Sequence, residues 1–150
     1  MKKIKILLGD PRHSTVGAHS NYVPIGIGYI GSNLIKQFEN KEYKIELKLE
    51  TDAIKIFPLL KKWKPDIVGI SNYIWNSDLS YLICSQAKKT NPNSLCILGG
   101  PEFPAGTGAT KIENTGQDKT YDKCLDYLIK RPSVDYFAYS DGEVVFLEII

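Results

Sequence analysis

The chain has 150 residues, 43% of them hydrophobic and 24% charged, and a net charge of only +2. This is the make-up of one soluble domain with a real core, and its scattered lysines exclude nucleic acid as the main partner. No apolar run is long enough to span a membrane or to act as a signal peptide before Asp10 interrupts it, so a cytoplasmic protein with no membrane partner is expected.

Three cysteines, Cys84, Cys96 and Cys124, are odd in number and widely spaced. No CxxC or CxxxCxxC run is present, so neither a zinc site nor an iron–sulfur cluster is expected within these residues. Buried free thiols in a reducing compartment are the expectation.

Ile4 to Gly9 reads as the first strand. Asp10 to Val23 then forms a fourteen-residue loop, far longer than the roughly two to six residues of an ordinary strand-to-helix connection. Pro24 suits the first turn of a helix. Ile27, Ile30, Leu34 and Phe38 supply its buried stripe. Gly26, Gly28 and Gly31 would let that helix lie close to a sheet or a ligand. Tyr43 to Glu50 alternates apolar and charged residues, as an edge strand with one wet face would. Thr51-Asp52 can cap a helix running to Trp63, with a break or late start expected at Pro58.

Pro65 stops that helix, and Asp66 to Ile70 is a short, mostly apolar run without alternation. Such a run fits a strand buried on both faces of a parallel sheet. Ser71 to Asn76 follows as a polar, aromatic loop at the strand's carboxyl end, where open α/β sheets keep their ligands. The plainer reading is a connector in which Tyr73 and Trp75 merely pack. Ser77 or Asp78 caps the next helix, whose face is Leu79, Leu82, Ile83, Gln86 and Ala87. Ser94 to Leu98 is another buried strand, closed by Gly99-Gly100-Pro101. A loop rich in Gly and Thr runs to about Gln117. Tyr121 to Lys130 is helical with Leu125, Leu128 and Ile129 inward, Val134 to Tyr139 is the last strand, and Asp141-Gly142-Glu143 opens a final helix.

Strands and helices alternate throughout, so the fold class is α/β. The expected architecture is a flavodoxin-like (Rossmann-like) three-layer sandwich with a five-stranded parallel sheet in the order 2-1-3-4-5. Residues 1–150 form one domain, and the apolar ending Val144 to Ile150 reads as a fragment of a longer protein.

Gly26-Ile27-Gly28-Tyr29-Ile30-Gly31 matches GxGxxG, with Glu50 nineteen residues on. A dinucleotide fingerprint needs these glycines directly after the first strand, whereas here they fall inside a helix, so helix–sheet packing accounts for them better. A receiver domain would need a phosphoacceptor carboxylate where Ser71 stands. His13-Ser14-Thr15 is a weak version of a flavin phosphate loop, which keeps FMN as an alternative. His13 and His19 are the only histidines, too few for a metal or hydrolase centre.

Pro24 to Ser32, Pro65 to Ser71, Trp75-Asn76, Gly99-Gly100-Pro101-Glu102, Val134 to Tyr136 and Gly142 to Phe146 occur in an ordered series. The series resembles the N-terminal cobalamin-binding domain of cobalamin-dependent radical SAM proteins, a family of methyltransferases and anaerobic magnesium-protoporphyrin monomethyl ester cyclase relatives. The resemblance implies cobalamin over the sheet's carboxyl end, its nucleotide tail beside Ser71, Asn72 and Tyr73 and beside Gly99-Gly100 with Pro101 and Glu102. Trp75 and Asn76 would flank the corrin, as would the turn from Ser140 through Asp141, Gly142 and Glu143.

Many cobalamin modules carry DxHxxG after the first strand, but here the run from Asp10 to Gly17 is one residue longer in both gaps. The resemblance therefore implies base-off cobalamin without histidine coordination, with Arg12, His13, Ser14, Thr15 and Val16 below the ring. The alternative is cobalt ligation by His13. S-adenosylmethionine and a [4Fe-4S] cluster would belong to a downstream radical SAM domain of the same parent chain. These residues would then be a carrier module without activity of their own. The contrasting class is a flavodoxin-like interaction domain that has lost its cofactor.

Overall fold

The parallel sheet is built from strands whose successive side chains go to opposite faces, each face covered by helices. A computed structural model describes residues 2–12, 23–39, 42–103, 120–139 and 141–150. In chain order the elements are β1 (Lys2–Arg12), α1 (Ile25–Phe38), β2 (Tyr43–Asp52), α2 (Ala53–Trp63), β3 (Ile67–Ser71), α3 (Ser77–Thr90), β4 (Leu95–Gly99), α4 (Thr120–Ile129), β5 (Tyr136–Ala138) and α5 (Gly142–Ile149). The strands lie in the order β2-β1-β3-β4-β5, and every neighbouring pair is parallel. This is the flavodoxin-like order expected from the sequence.

Alternation along the central strands divides the core in two. Ile6 and Leu8 of β1 and Ile97 of β4 pack with Ile27 and Leu34 of α1 and Phe146 of α5. Leu7, Val68, Ile70, Cys96 and Leu98 face the other way, onto Ile56 and Leu60 of α2 and Ile83, Cys84 and Ala87 of α3. Two helices therefore roof one face, and the space between α1 and α5 opens toward the strands' carboxyl ends. Gly31 lets α1 sit down on β2, since a Cβ there would stand 2.9 Å from Leu47 Cδ2, whereas Gly26 and Gly28 face open space.

Four expectations are corrected. β1 does not stop at Gly9 but continues through Asp10 and Pro11 to Arg12, with a register shift against β2 between Gly9 and Arg12. The shift is a bulge, a common way to re-aim a strand end. Pro58 does not break α2. Its forfeited bond is to a carbonyl in the first turn, where the Asp52 side chain already caps the Ile54 N–H at 2.9 Å. Ile56 and Leu60, on either side of Pro58, are fully buried.

The buried face of α3 is Ser80, Ile83, Cys84 and Ala87, and Leu82 points outward. The Ser80 hydroxyl donates to the Ser71 carbonyl at 3.0 Å, which sets the helix's rotation. In α4, Leu125 and Ile129 are exposed, and Tyr127 is the buried residue. Its ring meets Phe103 and Phe137 edge-on, and Arg131 lies 3.8 Å from the ring centre. No helix among the described residues is long and apolar enough to cross a membrane.

Candidate functional site

Three strand ends converge on one mouth. β1 delivers Asp10, β3 delivers Ser71, and β4 delivers Gly99, aligned because Gly9 pairs with Ile70 and Ser71 pairs with Gly99. Asp10 is 7% exposed. Its Oδ1 accepts the Ser71 hydroxyl at 2.7 Å, and its Oδ2 lies 3.4 Å from the Arg12 guanidinium. A buried carboxylate needs such partners, because burial alone penalises its charged form. The Ser71 hydroxyl also lies 3.1 Å from the Gly9 carbonyl oxygen.

The loop after β3 is held by its own asparagines. Asn76 is fully buried, accepts the Tyr73 backbone N–H at 2.7 Å, and donates through Nδ2 to the carbonyls of Pro11 and Ser71 at 3.0 and 3.3 Å. This local turn presents Tyr73 and Trp75 outward, their rings stacked 4.6 Å apart and 7° from parallel. Trp75 and Ile74 are exposed, and Tyr73 is half-buried.

Asn72 belongs to a second knot. Its backbone N–H donates to the Gly99 carbonyl at 2.6 Å, its own carbonyl accepts the Glu102 N–H at 3.2 Å, and its Nδ2 donates to the Glu102 carbonyl and the Tyr127 hydroxyl. Asn72 thereby folds the turn from Gly99 to Glu102 back on itself. Gly100 sits there at φ +134°, and any side chain on it would overlap the Asn72 carbonyl. Only glycine takes that position without strain.

Between α1 and α5, over the sheet, lies a cavity of about 250 Å³. Leu8, Ile27, Ile30, Gly69, Ile97, Ala138 and Phe146 form its apolar body, and Asp10, Ser71, Tyr73, Gly99, Gly100, Gly142 and Glu143 are grouped with them in its lining. Of the sequence-predicted residues, Ser71, Tyr73, Gly99, Gly100, Gly142 and Glu143 thus meet in one cleft. Asn72 and Asn76 support it from behind. Pro101 and Asp141 are exposed nearby, and Glu102 enters the second knot through its backbone. Trp75 stacks on Tyr73, and Arg12 pairs with Asp10. His13, Ser14, Thr15, Val16 and Ser140 lie outside the described residues.

The sequence reading missed Asp10, Gly69 and the apolar wall from α1 and α5. Asp10 was recoverable from its place at the end of a buried strand. Gly69 was visible as the single glycine of the central strand: a Cβ there would stand 2.6 Å from the Phe146 ring and 2.8 Å from Leu8. No group of three or more His, Cys, Asp or Glu side chains among the described residues could hold a metal ion.

No protein-family model matches the chain. Over 87 residues, 58% of this chain and 10% of the relative, it is 29% identical to the cobalamin-dependent radical SAM methyltransferase TokK of Streptomyces tokunonensis. Over 86 residues, 57% of this chain and 10% of the relative, it is 26% identical to the 2-(S-pantetheinyl)-carbapenam-3-carboxylate methyltransferase of Streptantibioticus cattleyicolor. An uncharacterized methyltransferase of Pyrococcus horikoshii is 26% identical over 155 aligned positions, spanning all of this chain and 29% of the relative. The matches thus span from a tenth to under a third of these relatives' lengths. The crystal structure of a cobalamin-binding protein from Desulfitobacterium hafniense shares the fold with a TM-score of 0.53 at 15% identity, over 97% of this chain and 57% of that one. The resemblance read from the sequence is borne out: over part of its length the chain is similar to a cobalamin-dependent radical SAM methyltransferase, and it has the fold of a cobalamin-binding protein.

Proposed function

We propose that this chain is a cobalamin-binding module that presents the corrin to a radical SAM catalytic domain of a longer parent. The observation that carries the reading is the cleft between α1 and α5 at the carboxyl ends of β1, β3 and β4. Its volume of about 250 Å³ falls just below the roughly 300–1,000 Å³ of sites that enclose a whole small molecule. It therefore suits one heterocyclic limb, with the macrocycle outside on the strand ends. The lining fits such a limb: an apolar slot with a glycine wall at Gly99-Gly100 and polar groups only at Asp10, Ser71 and the rim.

In this reading Ser71, Gly99, Gly100 and Gly142 would hold the nucleotide limb. Tyr73 and Trp75 would offer a flat aromatic step beside the ring. Arg12, His13, Ser14, Thr15 and Val16 would lie beneath it, without a histidine ligand to cobalt. Bound cobalamin supplies a cobalt that accepts and donates a methyl group. The names of the relatives favour methyl transfer over cyclase-type chemistry. S-adenosylmethionine and the [4Fe-4S] cluster belong to the catalytic domain, and the setting is the cytoplasm.

Titration of the purified chain with hydroxocobalamin, read by visible absorbance and followed by gel filtration, tests the proposal. Co-elution of protein with a perturbed corrin spectrum is expected. A folded chain that leaves the corrin behind at tens of micromolar would overturn it. His13→Ala should leave the cobalt spectrum unchanged, and a shifted spectrum would instead assign the histidine as a ligand.

A further inference from the structure

β2 closes one side of the sheet. Among the described residues it pairs with β1 alone, so alternate backbone N–H and C=O groups along Tyr43–Asp52 point to an edge with no neighbouring strand. The two faces of the strand differ. Ile45, Leu47 and Leu49 share a face with Ile4, Ile6 and Leu8 of β1, toward α1, and Leu49 is still 48% exposed. Lys44, Glu46, Lys48 and Glu50 share the other face, where Lys48 Nζ lies 4.6 Å from the Trp63 ring centre of α2, and their signs alternate.

These charges are only partly engaged within the fold. Glu46 meets Lys3 through Oε1 at 2.9 Å, and Glu50 accepts the Thr51 and Asp52 N–H groups through Oε1 at 3.0 Å, so each carboxylate keeps its second oxygen. Lys44 is exposed and makes no ion pair among the described residues.

The spacing makes the row self-complementary. When two copies of β2 run antiparallel across a two-fold axis at Leu47, Lys44 stands opposite Glu50 of the second copy, and Glu46 opposite its Lys48. Each pair occurs twice by symmetry. On the other face, the exposed Leu49 meets Ile45 of the second copy. A slip of two residues either way sets lysine against lysine and glutamate against glutamate. A row of one sign would repel a second edge in every register, whereas this row favours the register that uses all four charges.

We infer that the β2 edge pairs antiparallel with the same edge of a second copy of this chain, continuing the sheet across a two-fold dimer. No residue of β2 lines the cleft. The carboxyl ends of the two sheets point in opposite directions, so both clefts stay open.

The test is light scattering after gel filtration of the native chain, from micromolar to millimolar loading. The mass should rise from 16.8 kDa toward twice that value. Lys44→Glu and Glu50→Lys each set like charges opposite one another and should weaken the dimer by roughly tenfold or more. An equimolar mixture of the two variants pairs opposite charges again and should restore it, with circular dichroism confirming that both are folded. Lys48→Glu mixed with Glu46→Lys makes the same exchange nearer the axis and decides the matter if Glu50→Lys does not fold. A native chain that stays monomeric at every loading overturns the inference. So does a dimer indifferent to Lys44→Glu, or a mixture of folded variants that associates no better than either alone.

Discussion

The side-chain amide of Asn76 donates to the Pro11 carbonyl at 3.0 Å across 65 residues of chain, joining the end of β1 to the loop after β3. The same side chain accepts from the Tyr73 N–H at 2.7 Å. One buried residue therefore fixes two walls of the mouth, the strand end that carries Asp10 and the turn that carries Tyr73. Asn76→Ala leaves the Pro11 carbonyl and the Tyr73 N–H without it. An orphaned buried group costs roughly 1–3 kcal/mol, so a loss of about 3 kcal/mol is expected in urea unfolding. Asn76→Asp should recover only the Tyr73 bond and about half of that loss. Equal stability of the wild type and Asn76→Ala would show that the bridge holds nothing.

Gly100 gives a sharper test of the turn after β4. Its φ of +134° and its place against the Asn72 carbonyl leave no room for a methyl group. Strained backbone of this kind costs on the order of 1–3 kcal/mol. Gly100→Ala should destabilise by about 2 kcal/mol or more and weaken corrinoid binding at least tenfold, because the turn must move out of register with Ser71. Gly99→Ala is the control for stability: a Cβ there meets Ala138 at an ordinary 3.5 Å. Thermal melts of both variants separate the two outcomes, and a Gly100→Ala protein as stable as Gly99→Ala would show that the turn is not strained.

The sheet order was legible because buried parallel strands write unbroken apolar runs and the edge strand writes alternation. Ser71 and Gly99-Gly100 were legible as residues of the cleft because chain order alone places them at strand ends. The helix faces were harder to read. Leu82, Leu125 and Ile129 are apolar yet point outward, since the rotations of α3 and α4 are set by polar and aromatic contacts at Ser80 and Tyr127. The roles of Asn72 and Asn76 were also hidden. Asparagine in a loop reads equally as ligand-binding or as turn-forming, and only the three-dimensional partners, Tyr127 and Pro11, show that both side-chain nitrogens donate within the fold. The apolar body of the cleft comes from α1, α5 and the strands β1, β3, β4 and β5, and no local pattern announces that these meet.

Gly69 joins the fold to the cleft. It sits in the central strand with the Phe146 ring laid against it, and both residues line the cavity. Gly69→Ala would push that ring, because a Cβ there falls 2.6 Å from the Phe146 ring edge. Overpacking of this kind costs roughly 1–3 kcal/mol. The displaced ring should also narrow the slot, so corrinoid affinity should fall at least tenfold. Phe146→Leu in the same chain makes room again and should restore part of both. If the double variant binds no better than Gly69→Ala, the ring is not what closes the slot.

The thiols predict a pH dependence with a definite sign. The Cys84 thiol is pushed well up from its ordinary pKa, first by its hydrogen bond with the Cys96 thiol and then by burial. Both residues are fully buried between α3 and β4, and the Cys96 thiol donates to the Cys84 carbonyl at 3.7 Å. The folded state thus keeps a proton that the unfolded state releases near a pKa of roughly 8.5. Where the folded state binds more protons, stability falls as pH rises. The contribution is fully present below the unfolded value and is lost from there upward, toward the raised value of the folded thiol. Unfolding midpoints should therefore decline between pH 8.5 and 10, and the decline should be smaller in Cys84→Ala. The same protection predicts that at pH 8 a thiol reagent modifies the half-buried Cys124 quickly, while Cys84 and Cys96 react only on unfolding. Three fast thiols in the folded protein would contradict the assignment.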